Sequence, residues 1–133
     1  MPIPLQNKID IVTDFLNRIG KMDIDGAGEY LADDARTVYP YLDYLDDLEG
    51  RAAIVSQIRS TIPHMFERMD FTFDEWYEIA DPDAVIVEYR SHCPRLGNKG
   101  VYQNVYIGVF RFRNDKITLY KEYLNPLRLN FDD

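Results

Sequence analysis

Leu5, Ile9, Val12, Leu16 and Ile19 recur at steps of four, three, four and three, which gives the first apolar face the period of an α-helix, with Gly20 placed to end it. A second, short helix is predicted over Ile24 to Ala32. It would bury Ala27, Tyr30 and Leu31 and be closed by Asp33 and Asp34, before a short extended piece from Thr37 to Tyr39. Pro40 biases Tyr39 toward extended geometry and opens an acidic, aromatic loop, YPYLDYLDDLEG, that Gly50 ends. From about Arg51, the stripe Ile54, Ile58 and Ile62 marks a third helix, with Pro63 in its last turn or at a kink.

After Phe66 the period changes from that of a helix to that of a strand. Four β segments are predicted: Asp70 to Ile79, Ala84 to Cys93, Val101 to Phe112 and Lys116 to Leu124. Turn-like sequences at Asp81-Pro82-Asp83, Pro94 to Lys99 and Asn114-Asp115 separate them. Helices followed by an antiparallel sheet form an α+β order. Three helices would cover one face of the sheet, and strong curvature would leave a cavity between the layers.

A chain of 133 residues has room for one domain, taken as 1–133, with a core of its own. Ten tyrosines raise the aromatic share to 14%, and such side chains suit walls that are apolar yet able to hydrogen-bond. The net charge of −8, with no basic run, argues against a nucleic-acid partner. The one cysteine, Cys93, excludes an intrachain disulfide and fits a reducing compartment. The start, MPIPLQNKIDIV, lacks the charged and apolar regions of a signal peptide. No apolar stretch approaches the roughly 18 residues of a membrane span. The expectation is a cytoplasmic protein without a membrane partner.

The stretch Gly100 to Leu127, GVYQNVYIGVFRFRNDKITLYKEYLNPL, places Asn104, Tyr106, Tyr120 and Glu122 inside otherwise apolar strands. An ionised carboxylate is costly to bury unless it is paired or its pKa rises, so Glu122 has two readings. It faces water on the open side of the sheet, or it faces a pocket. Side-chain parity decides between them. If Asn114-Asp115 is a plain two-residue turn, Tyr106, Phe110 and Phe112 share a face with Lys121 and Tyr123. One extra bulge residue puts Tyr120 and Glu122 beside Tyr106 and Phe110 instead.

Tyr102, Asn104 and Tyr106 alternate onto one face and, with Tyr120, could hydrogen-bond a carbonyl or enolate between their rings. Phe110 extends that wall, and Tyr39, Tyr41 and Trp76 are further wall or mouth candidates. His92 shares a strand face with Glu88 and Arg90, a pattern that serves either a site or a solvent-facing, mutually paired surface. The acidic loop with Asp43, Asp46, Asp47 and Glu49 lacks the spacing of a calcium loop, and no His or Cys cluster has zinc spacing. Neither a metal nor an organic cofactor is expected.

The first helix, the segment YLADDARTVYP, the helix start LEGRAAI and the hairpin FRFRNDKITLYKEYLNPL, in that order and spacing, resemble the SnoaL-like and ketosteroid-isomerase-like branch of the nuclear transport factor 2-like superfamily. The segment Gly100 to Asn125 and the spacing of Val87-Glu88 to His92 are most similar to the phenazine-biosynthesis A/B proteins. The resemblance implies a conical α+β barrel, its curved, mainly antiparallel sheet wrapped around about three helices. It also implies a homodimer formed through the sheet and a pocket for hydrophobic or aromatic small molecules. Members isomerise, cyclise, dehydrate or simply hold such molecules, some of them in secondary metabolism.

The chain departs from ketosteroid isomerases at both of their catalytic carboxylates. Tyr39 stands where their proton-shuttling Asp would be and Gly108 where their oxyanion-hole Asp would be, which argues against steroid isomerisation by that route. Likeness to the phenazine proteins favours the bulged hairpin and makes Glu122 the candidate acid/base, with His92 and Tyr120 as further catalytic candidates. The ligand-binding candidates are Tyr39, Trp76, Tyr102, Asn104, Tyr106 and Phe110. The expected function is cofactor-free acid/base catalysis on a hydrophobic or aromatic carbonyl compound. The rivals are a non-catalytic binder, with Glu122 exposed or neutralised by Arg90 or Lys121, and an interaction module with a filled interior and an apolar outer patch.

Overall fold

The period-two segments pair into one six-stranded sheet, seen in a computed structural model that describes residues 2–131; of the expected span 1–133, Met1, Asp132 and Asp133 lie outside the described residues. The elements run α1 (Leu5–Gly20), α2 (Ile24–Gly28), β1 (Leu31–Val38), β2 (Leu48–Glu49), α3 (Arg51–Met65), β3 (Asp70–Tyr77), β4 (Ala84–Pro94), β5 (Val101–Arg113) and β6 (Lys116–Leu124). The strand order is β2-β1-β6-β5-β4-β3. Only β1 and β6 are parallel; every other neighbouring pair is antiparallel. The sheet is curved and does not close, and the register breaks in β1, β3 and β6 are the kind of irregularity that bends strands.

The core lies in the concavity of the sheet. Val12, Phe15, Leu16 and Ile19 of α1 meet Val85 and Val87 of β4, Phe110 of β5 and Ile117 and Tyr120 of β6. Phe15 stands edge-on to Tyr120, with ring centroids 5.6 Å apart, and Tyr120 stacks on Phe110 at 4.9 Å. α3 turns Ile54 into this core, and Pro63 sits within its last turns, as the Ile54, Ile58, Ile62 stripe predicts.

The second helix is shorter than its apolar residues suggest. It ends at Gly28, and Leu31 and Ala32 begin β1, because the Tyr30 carbonyl accepts from the Ile117 backbone N–H at 2.8 Å and Leu31 pairs with Ile117 of β6. Asp34 does not close a helix but pairs with Arg113 at 2.7 Å. The acidic loop contains the two-residue strand β2, whose Leu48 and Glu49 pair with Thr37 and Arg36. Gly20 is the last residue of α1 rather than its left-handed stop; Met22 takes the positive φ, 66°. Gly20 is small for another reason: a Cβ there would run into the Met69 carbonyl oxygen, and the Met69 N–H donates to the Gly20 carbonyl at 2.9 Å.

Candidate active site

The orientation of Glu122 is decided in the last hairpin. Arg113 pairs with Lys116 across Asn114-Asp115, where Asn114 takes a φ of 56°, and Phe112 pairs with Ile117. Arg111 then pairs with Leu119, so Thr118 is an extra residue on β6. Past this bulge Phe110 faces Tyr120, Gly108 faces Glu122 and Tyr106 faces Leu124. This is the second of the two arrangements left open by the alternation. Without Thr118 as the extra residue, Glu122 would point outward, where Lys121 and Tyr123 now lie.

Glu122 is 8% exposed and forms part of the wall of a cavity of about 310 Å³ between α1, α3, the loop after β1 and the sheet. Among the described residues its wall is otherwise uncharged. The Tyr89 hydroxyl donates to Glu122 Oε1 at 2.8 Å, and the Tyr120 hydroxyl lies 3.4 Å from that of Tyr89. Burial raises the carboxyl pKa to about 7, with the hydrogen bonds from Tyr89 and Tyr120 pulling the other way. A carboxyl poised there can give or take a proton near neutral pH. Tyr39 and Tyr106 line the same cavity. Their phenols are pushed above the ordinary range, by burial first and by the Glu122 charge second, and stay neutral hydrogen-bonding groups.

Glu122, Tyr39, Tyr102, Tyr106 and Tyr120 therefore come together on one cavity wall. The other predicted site residues do not join them. His92 lies exposed on the outer face, paired in register with Asp70 and Gln103, because β4 alternates Val85, Val87, Tyr89 and Ser91 inward and Glu88, Arg90 and His92 outward. That outer face is the mutually paired surface of the alternative reading: Arg90 binds Asp74 at 2.8 Å, and Glu88 accepts from the Tyr77 hydroxyl at 2.8 Å. His92 is thus not positioned to act with Glu122.

Trp76 lies three strands away from Glu122 on edge strand β3, stacked on Phe73 at 5.7 Å. Phe110 is fully buried beneath Tyr120 and supports the wall without forming it. Asn104 is buried and occupied. Its Nδ2 donates to the Tyr102 hydroxyl at 2.6 Å and the Asn125 carbonyl at 3.1 Å, while its Oδ1 accepts from the Asn125 N–H at 3.1 Å. Asn104 therefore pins the chain where it leaves β6. Asn104→Ala should cost about 2–3 kcal/mol in a denaturant melt, since it leaves buried partners unmet; a loss under about 0.5 kcal/mol would sink this role.

Tyr89 escaped the sequence reading. It is fully buried, stacks on Tyr106 at 4.7 Å and carries the closest hydrogen bond to Glu122. The signal was present in AVIVEYRSHC, where Tyr89 alternates with Val85 and Val87 rather than with Glu88 and His92. Gly108, between them, leaves room for this ring, for a Cβ there would lie 3.2 Å from Tyr89 Cε1 and 2.7 Å from Phe110 Cε1. The apolar wall from Met65, Met69 and Leu129 was not foreseen either. Cys93 is buried, with its thiol pushed up to about 11 by that burial, as suits a structural residue. Among the described residues no group of three or more His, Cys, Asp or Glu could hold a metal ion, and no helix is long and apolar enough to cross a membrane.

The chain is similar to an uncharacterised PhzA/B-like protein of Pseudomonas aeruginosa, 38% identical over 80 residues, covering 60% of this chain and 55% of that protein. It spans about half the length of the curated relatives it matches. Among solved structures, a phenazine biosynthesis-related protein of Pseudomonas aeruginosa superposes with a TM-score of 0.77 at 18% identity, covering 92% of this chain and 82% of that one. An LEH-like epoxide hydrolase of M. tuberculosis gives a TM-score of 0.76 at 20% identity, covering 93% of this chain and 86% of that one. Both show a shared fold of the nuclear transport factor 2-like kind. The model of the SnoaL-like domain matches residues 12–120, and the chain belongs to that family.

Proposed function

We propose that the protein is a small-molecule enzyme that uses Glu122 as general acid and base on a hydrophobic or aromatic carbonyl compound, in an isomerisation, cyclisation, dehydration or condensation. One observation carries the reading: a buried carboxyl, with its pKa at about 7, in the wall of a cavity that is otherwise uncharged among the described residues. In the base form it removes a proton beside the carbonyl; in the acid form it returns one. Tyr120 and Tyr106 offer neutral hydroxyls on the same wall to a developing enolate. Tyr89 holds the carboxyl in place from behind.

The non-catalytic alternative asks for a carboxylate that is exposed or neutralised. Instead Glu122 is buried, Arg90 binds Asp74, and Lys121 lies over the Tyr123 ring at 5.5 Å. The interaction-module alternative asks for a filled interior, against a cavity of about 310 Å³.

A thermal-shift panel of hydrophobic ketones and aromatic carbonyl compounds, followed by turnover assays on the stabilising ones, tests the reading. Glu122→Gln should lower turnover by about 10²- to 10⁴-fold while the compound still binds. Equal turnover in both proteins would remove Glu122 from the chemistry.

We further propose that the protein is a homodimer through the outer face of the sheet, where Val105 and Ile107 are 54% and 41% exposed beside Tyr41 and Tyr123. Light scattering after gel filtration should give twice the chain mass, and Ile107→Asp should halve it. A monomer in the unaltered protein would end this proposal.

A further inference from the structure

The charges around the cavity restrict the ligand more than its apolar walls do. Among the described residues no Lys, Arg or His side chain lines it, and the one ionisable acid of its wall, Glu122, is faced from the end of β1 and from β4, β5 and β6 by the phenols of Tyr39, Tyr89, Tyr102, Tyr106 and Tyr120. The loop that brings Tyr44 and Leu45 to the wall also carries exposed Asp43 and Asp46.

The three charge classes of ligand fare differently in such a site. A ligand carboxylate would be buried with no counter-charge and would force Glu122 to stay protonated. A neutral ligand can take one hydrogen bond from the protonated acid. A ligand ammonium ion finds a carboxylate already stripped of water, hydroxyl oxygens as acceptors, and tyrosine rings whose faces attract cations. The net charge of −8 draws cations toward the protein over a longer range.

We propose that the ligand of this cavity carries a basic nitrogen, so that a hydrophobic amine binds as its ammonium ion against the Glu122 carboxylate in a cavity walled by Tyr39, Tyr106 and Tyr120. This rests on the cavity reading above and narrows its substrate to hydrophobic carbonyl compounds that bear an amine. Ion pairing also links binding to pH. With the free carboxyl at about 7, Glu122 is mostly protonated at pH 6 and mostly ionised at pH 8, so an ammonium ligand displaces its proton and binds about tenfold tighter at pH 8.

The test uses three probes of one shape: 4-phenylbutylamine, 4-phenylbutanol and 4-phenylbutyrate, titrated by calorimetry at pH 6, 7 and 8 in two buffers of different ionisation enthalpy. The amine should bind about tenfold or more tighter than the alcohol at pH 8 and release about half a proton at pH 7, and the butyrate should bind weakest. Glu122→Gln should bring the amine down to the affinity of the alcohol and abolish the pH dependence of amine binding. The pH series on the unaltered protein stands even if that variant folds poorly. An alcohol that binds as tightly as the amine at pH 8, or amine binding independent of pH, would overturn the proposal and leave the cavity reading intact. Failure of all three probes to bind would remove the cavity reading and the proposal together.

Discussion

Glu122→Gln is expected to stabilise the fold by about 3 kcal/mol at pH 8 and to change it little at pH 4. The carboxyl is buried, and desolvation raises its folded pKa from the ordinary 4.5 to about 7. Between those values the folded state holds a proton that the unfolded state has released, so stability falls as pH rises through this window. The fall is about 1.4 kcal/mol per pH unit and levels off above pH 7. Gln carries no charge to desolvate, and its amide oxygen can still accept from Tyr89. The other titrating groups are common to both proteins and cancel in the difference. Denaturant melts of the pair from pH 4 to pH 8 should therefore diverge steadily above about pH 4.5. A variant less stable than its parent at pH 8 would mean that the carboxylate is held by a structural partner, and the acid/base assignment would go with it.

The opposite sign is expected for Gly20→Ala. By helix propensity alone the change should help by up to about 1 kcal/mol, since Gly20 closes α1 with helical geometry. A Cβ at this point, however, overlaps the Met69 carbonyl oxygen, a backbone atom that cannot rotate away, and comes within 3.5 Å of the Phe71 ring. Separating α1 from the start of β3 would strain the Met69 to Gly20 hydrogen bond and shift Met69 and Phe71, both on the cavity wall. Overpacking of this kind outweighs propensity, for a net loss of about 2–3 kcal/mol in a denaturant melt. A stability gain would show that the helix and strand slide apart freely.

The site separates local from non-local information in the chain. Tyr102 with Tyr106 on one strand, and Tyr120 with Glu122 on the next, could each be grouped from alternation within the strand, because period-two patterns place residues on faces without reference to anything distant, whereas bringing the two groups onto one face took the bulge. The same rule assigned His92 to the face of Glu88 and Arg90, and the structure keeps it there, outside. Asn104 looked like a ligand group because its partner, the Asn125 backbone, lies 21 residues on and has no pattern of its own.

By itself, then, the sequence determined the helix faces, the four long strands, the α+β order and the acid among tyrosines, since each depends on spacing within a short window. Tertiary structure decided the start of β1, the short strand β2 and the direction of Glu122. Leu31 and Ala32 suit a helix until Ile117 offers them a strand to pair with. Glu122 faces in or out according to one unpaired residue, Thr118, and with side chains alternating at every step a single inserted residue turns all that follow to the other face.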